Sequence, residues 1–117
     1  MMTTDAENYA AGIAASIAEA EAADDPHAAA ADYLAERALD LHYLVRGYAG
    51  SVQDVAEVRA IVTVGGPYAE VRGGDGTDRV RIVVRWWGDD AATEVIAPAL
   101  AAELEHHADV MTVEVVR

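Results

Sequence analysis

Glu57-Val58-Arg59-Ala60-Ile61-Val62-Thr63-Val64, closed by Gly65-Gly66-Pro67, is the stretch that decides the fold. Val58, Ala60, Val62 and Val64 alternate with Glu57, Arg59, Ile61 and Thr63, the two-residue repeat of a strand with one face buried. Gly65-Gly66-Pro67 then reverses the chain into a short strand near Tyr68 to Arg72, and Gly73-Gly74-Asp75-Gly76 reverses it again. A third strand runs from Arg79 to Trp87, with Val80, Ile82, Val84 and Trp86 on one face and Arg79, Arg81, Val83, Arg85 and Trp87 on the other. The expectation is a three-strand antiparallel meander over about residues 54–87, with one face for a core and the other carrying a ladder of arginines.

Upstream, Leu39, Leu41, Tyr43 and Val45 alternate with Asp40, His42, Leu44 and Arg46, which favours a further strand over a helix continued to Arg46. Gly47 to Ser51 reads as a loop. Downstream, Gly88-Asp89-Asp90 reads as a turn and Thr93 to Ile96 as a brief strand. Pro98 suits the start of a helix to about residue 108, anchored by Leu100 and Leu104. The closing alternation of Val110, Thr112, Glu114 and Val116 predicts a strand returning to the sheet.

The opening is helical. Thr4-Asp5-Ala6-Glu7 fits a capping box, in which the Thr4 hydroxyl and the Glu7 carboxylate satisfy amide donors at a helix start. Helix one is predicted from Asp5 to about Ala23, with Tyr9, Ile13 and Ile17 as a narrow apolar stripe among alanines. Asp25 is placed to cap, and Pro26 to begin, a second helix reaching about Ala38 with Tyr33 and Leu34 inward. The fold class is therefore α+β: two N-terminal helices, a mostly antiparallel sheet, and a C-terminal helix packed on it. The chain reads as one domain over 1–117, helical and acidic over 1–38, sheet plus helix over 39–117.

Charge is the most informative part of the composition. Among 117 residues, 21 acidic side chains face 8 basic ones for a net charge of −13, and every basic residue is Arg because Lys is absent. Such a chain repels nucleic acid and anionic membranes, so neither is expected as a direct partner. Three explanations of the acidity stand open: adaptation to molar salt, carboxylates that stand in for phosphates against a basic groove, and metal binding. Without Cys there is no disulfide, thiolate nucleophile or Cys-ligated metal. The N-terminus lacks a basic, then leucine-rich, leader, and no stretch approaches membrane-spanning length, so a cytoplasmic location is expected.

Motifs that carry chemistry are few. Gly73 to Val80 matches one copy of a calcium-binding nonapeptide, but that site needs stacked copies, so a hairpin turn is expected. Glu103, His106 and His107 include metal-ligand types at a helix end, but adjacent histidines diverge and no further ligand completes a set. Gly65-Gly66-Pro67 has neither the Lys nor the following helix of a phosphate loop. Ser16 and Ser51 have no His or acid at motif spacing. No catalytic residue, metal or cofactor is assigned, and the chain reads as a non-enzymatic binding protein, with an interaction or housekeeping domain of a salt-adapted or high-GC organism as the alternative and a small metal-dependent enzyme as the second.

Two surfaces are candidates for binding. Glu19, Glu21, Asp24, Asp25, Asp32, Glu36 and Asp40 form an acidic set with only Arg37 and Arg46 nearby, suited to a basic protein partner such as a nucleic-acid-binding complex. Arg81, Arg85, Trp87 and Tyr68 mark the outward sheet face, together with Arg59, Arg72, Glu57 and Glu70. Cross-strand pairing explains much of that face, while its Arg, Tyr and Trp are residue types favoured at interface hot spots. An exposed Trp87 face would also suit a homodimer.

The run Val62-Thr63-Val64-Gly65-Gly66-Pro67-Tyr68, followed by a hairpin and Trp86-Trp87-Gly88-Asp89, resembles small proteins carried by prokaryotic genomes and mobile elements. In size and acidity the chain is also similar to phage anti-defence proteins, including anti-CRISPR proteins. That resemblance implies an inhibitor that presents carboxylates to a DNA-binding groove.

Overall fold

The computed structural model describes residues 4–45, 52–53, 55–63, 67–110 and 113–114. Alanine, the strongest helix former, carries the chain into α1 (Asp5–Glu21), whose start is the expected capping box: Glu7 N–H donates to the Thr4 hydroxyl at 3.2 Å and Thr4 N–H to the Glu7 carboxylate at 3.3 Å. Asp25 caps α2 (Pro26–Arg37) by accepting the Ala28 N–H at 3.1 Å, with Pro26 in the first turn. Helix α2 stops where Ala38 turns extended. The next residue, Leu39, already donates its N–H to the Ile61 carbonyl at 2.7 Å, so sheet pairing takes the chain over from the helix.

The main sheet has five antiparallel strands in the order β1 (Asp40–Val45), β3 (Val55–Thr63), β4 (Tyr68–Gly73), β5 (Arg79–Trp86) and β6 (Asp89–Ile96), with β2 (Val52–Gln53) outside it. The meander is thus as expected and longer. Strand β6 occupies eight residues where the sequence predicts a turn and a brief strand. The reason is a two-residue turn at Trp87-Gly88, both at positive φ (45° and 88°), which matches the twist of the flanking strands and lets pairing begin at Asp89. Helix α3 (Pro98–Val110) follows, and β7 (Val113–Glu114) pairs with β2 in a separate two-stranded ladder rather than returning to the main sheet. The 47–51 loop and the Gly65-Gly66 reversal lie outside the described residues.

One sheet face builds the core. Val58, Ala60, Ala69, Val71, Val80, Ile82 and Val84 are buried there, each valine or isoleucine contributing about 2 kcal/mol by leaving water. Helix α1 lies over β5 and β6, α3 over β3, and α2 packs against both helices. Ile17 of α1, Tyr33 and Leu34 of α2, and Leu100 and Leu104 of α3 complete the same core. The α1 stripe is rotated from the expected one: Ala6 and Ala10 are buried with Ile17, while Tyr9 and Ile13 are half-buried. The small alanines let the helix approach the sheet, and Tyr9 leans on Trp86 with ring centres 5.6 Å apart.

Among the described residues the opposite sheet face has no helix on it. Charge and chemistry concentrate there and on the outward side of the helical layer.

Candidate functional site

On the helical layer, Glu19, Asp24, Asp25, Asp32 and Glu36 are all exposed. Asp32 and Glu36, one turn apart on α2, share a face. The one arginine of the described helices, Arg37, is drawn back over the Tyr33 ring, its guanidinium carbon 5.0 Å from the ring centre. Glu7 and Asp5, read from sequence as part of a cap and not of the acidic set, add exposed acid at the other end of α1.

Two members of the acidic set stand elsewhere. Glu21 is half-buried, and its carboxylate accepts the backbone N–H groups of Ala99 (3.2 Å) and Leu100 (2.9 Å), tying α1 to the start of α3. Asp40 lies on β1 opposite Ile61, on the open side of the sheet, where it accepts the Leu41 N–H at 2.9 Å and contacts His42 Nε2 at 3.1 Å. Both were grouped by sequence proximity, which does not register which layer a side chain joins.

The open sheet face carries five of the eight arginines: Arg59, Arg72, Arg79, Arg81 and Arg85. The register sets them in rows. His42, Arg59, Arg72, Arg81 and Glu94 form one row across all five strands, and Tyr68, Arg85 and Asp90 another. Repulsion in the first row is relieved from the neighbouring positions. Glu57 meets Arg59 at 3.2 Å and Arg72 at 3.8 Å, while Glu70 accepts from Arg72 Nη2 at 2.7 Å.

Glu70 is only 2% exposed although it faces the uncovered side, flanked along β4 by Tyr68 and Arg72. Its hydrogen bond is the main reason the Arg72 guanidinium holds its proton more tightly than usual. Burial first, and then the Glu70 carboxylate, push the Tyr68 phenol up. Sequence alternation placed Glu70 outward but gave no sign that it would be enclosed.

Arg81 and Arg85 differ from their neighbours. Each sits opposite a carboxylate in the register, Glu94 and Asp90 respectively. Yet among the described residues neither has an ion pair, and Arg85 instead lies over the Tyr68 ring at 5.6 Å. Beside Arg81 the face sinks into a groove of about 240 Å³ lined by Arg72, Arg79 and Arg81 with Glu57, Asp75 and Glu94. Such a mixed lining can receive charged side chains of either sign.

Trp87 is 74% exposed at the β5–β6 turn, its ring standing edge-on to Trp86 at 5.4 Å. A positive φ at a tryptophan is strained by about 1–2 kcal/mol, so the exposed indole is held at some expense to the fold.

The Gly73–Val80 segment forms a hairpin turn. Asp75 accepts the Thr77 N–H (3.2 Å) and hydroxyl (2.7 Å), and that hydroxyl bond holds its carboxyl below the usual aspartate range. Glu103 and His107 approach to 3.7 Å, with the His106 ring turned across His107. Among the described residues no group of three or more His, Asp or Glu is arranged to hold a metal ion, and no helix is long and apolar enough to cross a membrane. Comparison with protein-family models, curated proteins and solved structures finds no match to this chain.

Proposed function

We propose that this chain is a non-enzymatic binding protein whose acidic helical layer engages a basic partner in the cytoplasm, as a nucleic-acid mimic of the anti-CRISPR kind that occludes a nucleic-acid-binding groove. The observation that carries this reading is the segregation of charge between layers. The helical layer exposes Glu19, Asp24, Asp25, Asp32 and Glu36 with Arg37 as its one described arginine, while five arginines stand on the opposite face of the sheet, balanced there by five carboxylates. A basic groove meeting the helical layer thus meets a surplus of carboxylates, and association is fast and salt-sensitive.

The test is a variant carrying Glu19→Lys, Asp24→Lys, Asp32→Lys and Glu36→Lys, which spares the capping carboxylates of Asp25 and Glu21. Used as bait in parallel with the unaltered chain, it loses partners that duplex DNA displaces from the unaltered chain, with at least about 100-fold weaker binding to any one of them. Melting behaviour stays close to the original. Retention of the same partners at the same salt concentration rejects this surface as the site.

A second reading has its own observation. Lys is absent and carboxylates stand exposed on both layers, a pattern that also keeps a domain of a salt-adapted organism hydrated in brine. Melts followed by circular dichroism from low ionic strength to molar KCl separate the two. A chain that folds only in molar salt owes its acidity to its surroundings; one fully folded at low salt does not.

A further inference from the structure

The features left over by the acidic helical layer converge on the β5–β6 hairpin. Arg81 and Arg85 lack ion pairs among the described residues, and Asp90 is exposed without one. Among the described residues Glu94 is engaged only by an exposed Arg79 at 3.6 Å. Two of the three large hydrophobic side chains exposed among the described residues sit at the ends of the same hairpin: Trp87 at its turn and Ile96, 69% exposed, at the far end of β6. Between them Val83 and Ala92 face each other across the strands.

Charge decides what fits there. The chain carries −13 overall, so copies repel through most of their surface. On the open sheet face, however, the five arginines are matched by five carboxylates, Asp40, Glu57, Glu70, Asp90 and Glu94. Among the described strand residues this face carries the two charges in equal number, so it repels a second copy less than the acidic helical layer does.

We infer that two copies of the chain pair through this face about a two-fold axis parallel to the strands and running between β5 and β6. Such an axis lays β5 of each copy over β6 of the other while keeping the rows in step. Arg81 then meets Glu94 of the partner copy and Arg85 meets Asp90 of the partner copy, each contact occurring twice. Val83 packs over Ala92, and each Ile96 lies over the aliphatic stem of Arg79 of the partner copy. Face-to-face sheets stand about 10 Å apart, a gap that long arginine side chains span. The inference is independent of what the helices bind, since both helical layers remain outward.

The experiment is sedimentation equilibrium of the unaltered chain, of Arg81→Glu/Arg85→Glu, of Asp90→Arg/Glu94→Arg, and of an equimolar mixture of the two variants. The unaltered chain is expected to dimerise. Each variant alone sets like charges against one another and is expected to dimerise about 100-fold more weakly. The mixture sets opposite charges at every contact and is expected to restore a dimer, which also proves both variants folded. An unaltered chain that stays monomeric up to about 1 mM, where association would be no stronger than about −4 kcal/mol, overturns the inference. So does a dimer indifferent to Arg81→Glu/Arg85→Glu, or one that the mixture fails to restore.

Discussion

The carboxylate of Glu21, in the last turn of α1, accepts the N–H groups of Ala99 and Leu100 in the first turn of α3, 78 and 79 residues further along the chain. Those amides have no partner within their own helix, so an acid from another helix performs the task usually given to a local cap. The first prediction follows from this placement. Glu21→Ala removes two hydrogen bonds from half-buried amides and is expected to destabilise the fold by about 1–2 kcal/mol. Glu19→Ala, on the exposed side of the same helix, should change stability by less than about 0.5 kcal/mol. Urea unfolding of the pair checks this, and equal effects would deny Glu21 its bridging role.

Two glycines predict opposite signs for one substitution. Gly74 has φ +78°, and an added Cβ would stand 3.1 Å from backbone atoms of Leu104 and Glu105, so Gly74→Ala is expected to destabilise by more than about 1 kcal/mol. Gly12 lies inside α1 with open space around it, and Gly12→Ala is expected to stabilise by about 0.5–1 kcal/mol. Thermal melts of the two variants should move in opposite directions. A shared direction would refute the close approach of α3 to the β4–β5 turn.

The Glu70–Arg72 contact carries the third prediction. Deleting one partner of a fully buried ion pair is destabilising by about 3–5 kcal/mol. Arg72 remains 20% exposed, so water screens what is left, and Glu70→Ala should be destabilising by about 2 kcal/mol. Glu70→Gln, which keeps an acceptor for the guanidinium, should recover part of that loss. Identical losses in both variants would show that packing, not the bond, is at stake.

Acid should expose the Asp75–Thr77 turn. The carboxyl titrates lower in the folded chain than its unfolded value, so the turn's contribution is complete above about pH 4 and fades as pH falls through the depressed folded value. Thr77→Val is therefore expected to be destabilising at neutral pH, with the gap to the unaltered chain closing in acid. Unfolding midpoints across a pH series measure the gap, and one that stays constant would remove Asp75 as its cause.

How much of this was legible in the sequence depended on whether the signal was local. The alternation of Val58, Ala60 and Val62, the capping box at Thr4 and the Asp25-Pro26 restart are short-range patterns, and each appears where it was read. Strand β6 was underread because Asp89-Asp90-Ala91-Ala92 has poor strand propensity and is held by pairing with β5. The closing alternation misled because Val110 completes α3, and β7 finds β2 instead of the main sheet. Of the candidate surfaces, the arginine ladder was visible in residue parity alone. The enclosure of Glu70, the diversion of Glu21 to the α3 amides and the move of Asp40 to the sheet side depend on contacts between distant segments.

The separation of acidic helices from an arginine-bearing sheet also gives each single chain an electric dipole roughly normal to the sheet. In the field of a cationic surface such a body experiences a torque before it makes contact and turns its helices forward. On the proposed function, much of the orientational search that slows ordinary docking would be completed during approach, and the rate of capture, more than its final strength, is what this arrangement of charge would govern.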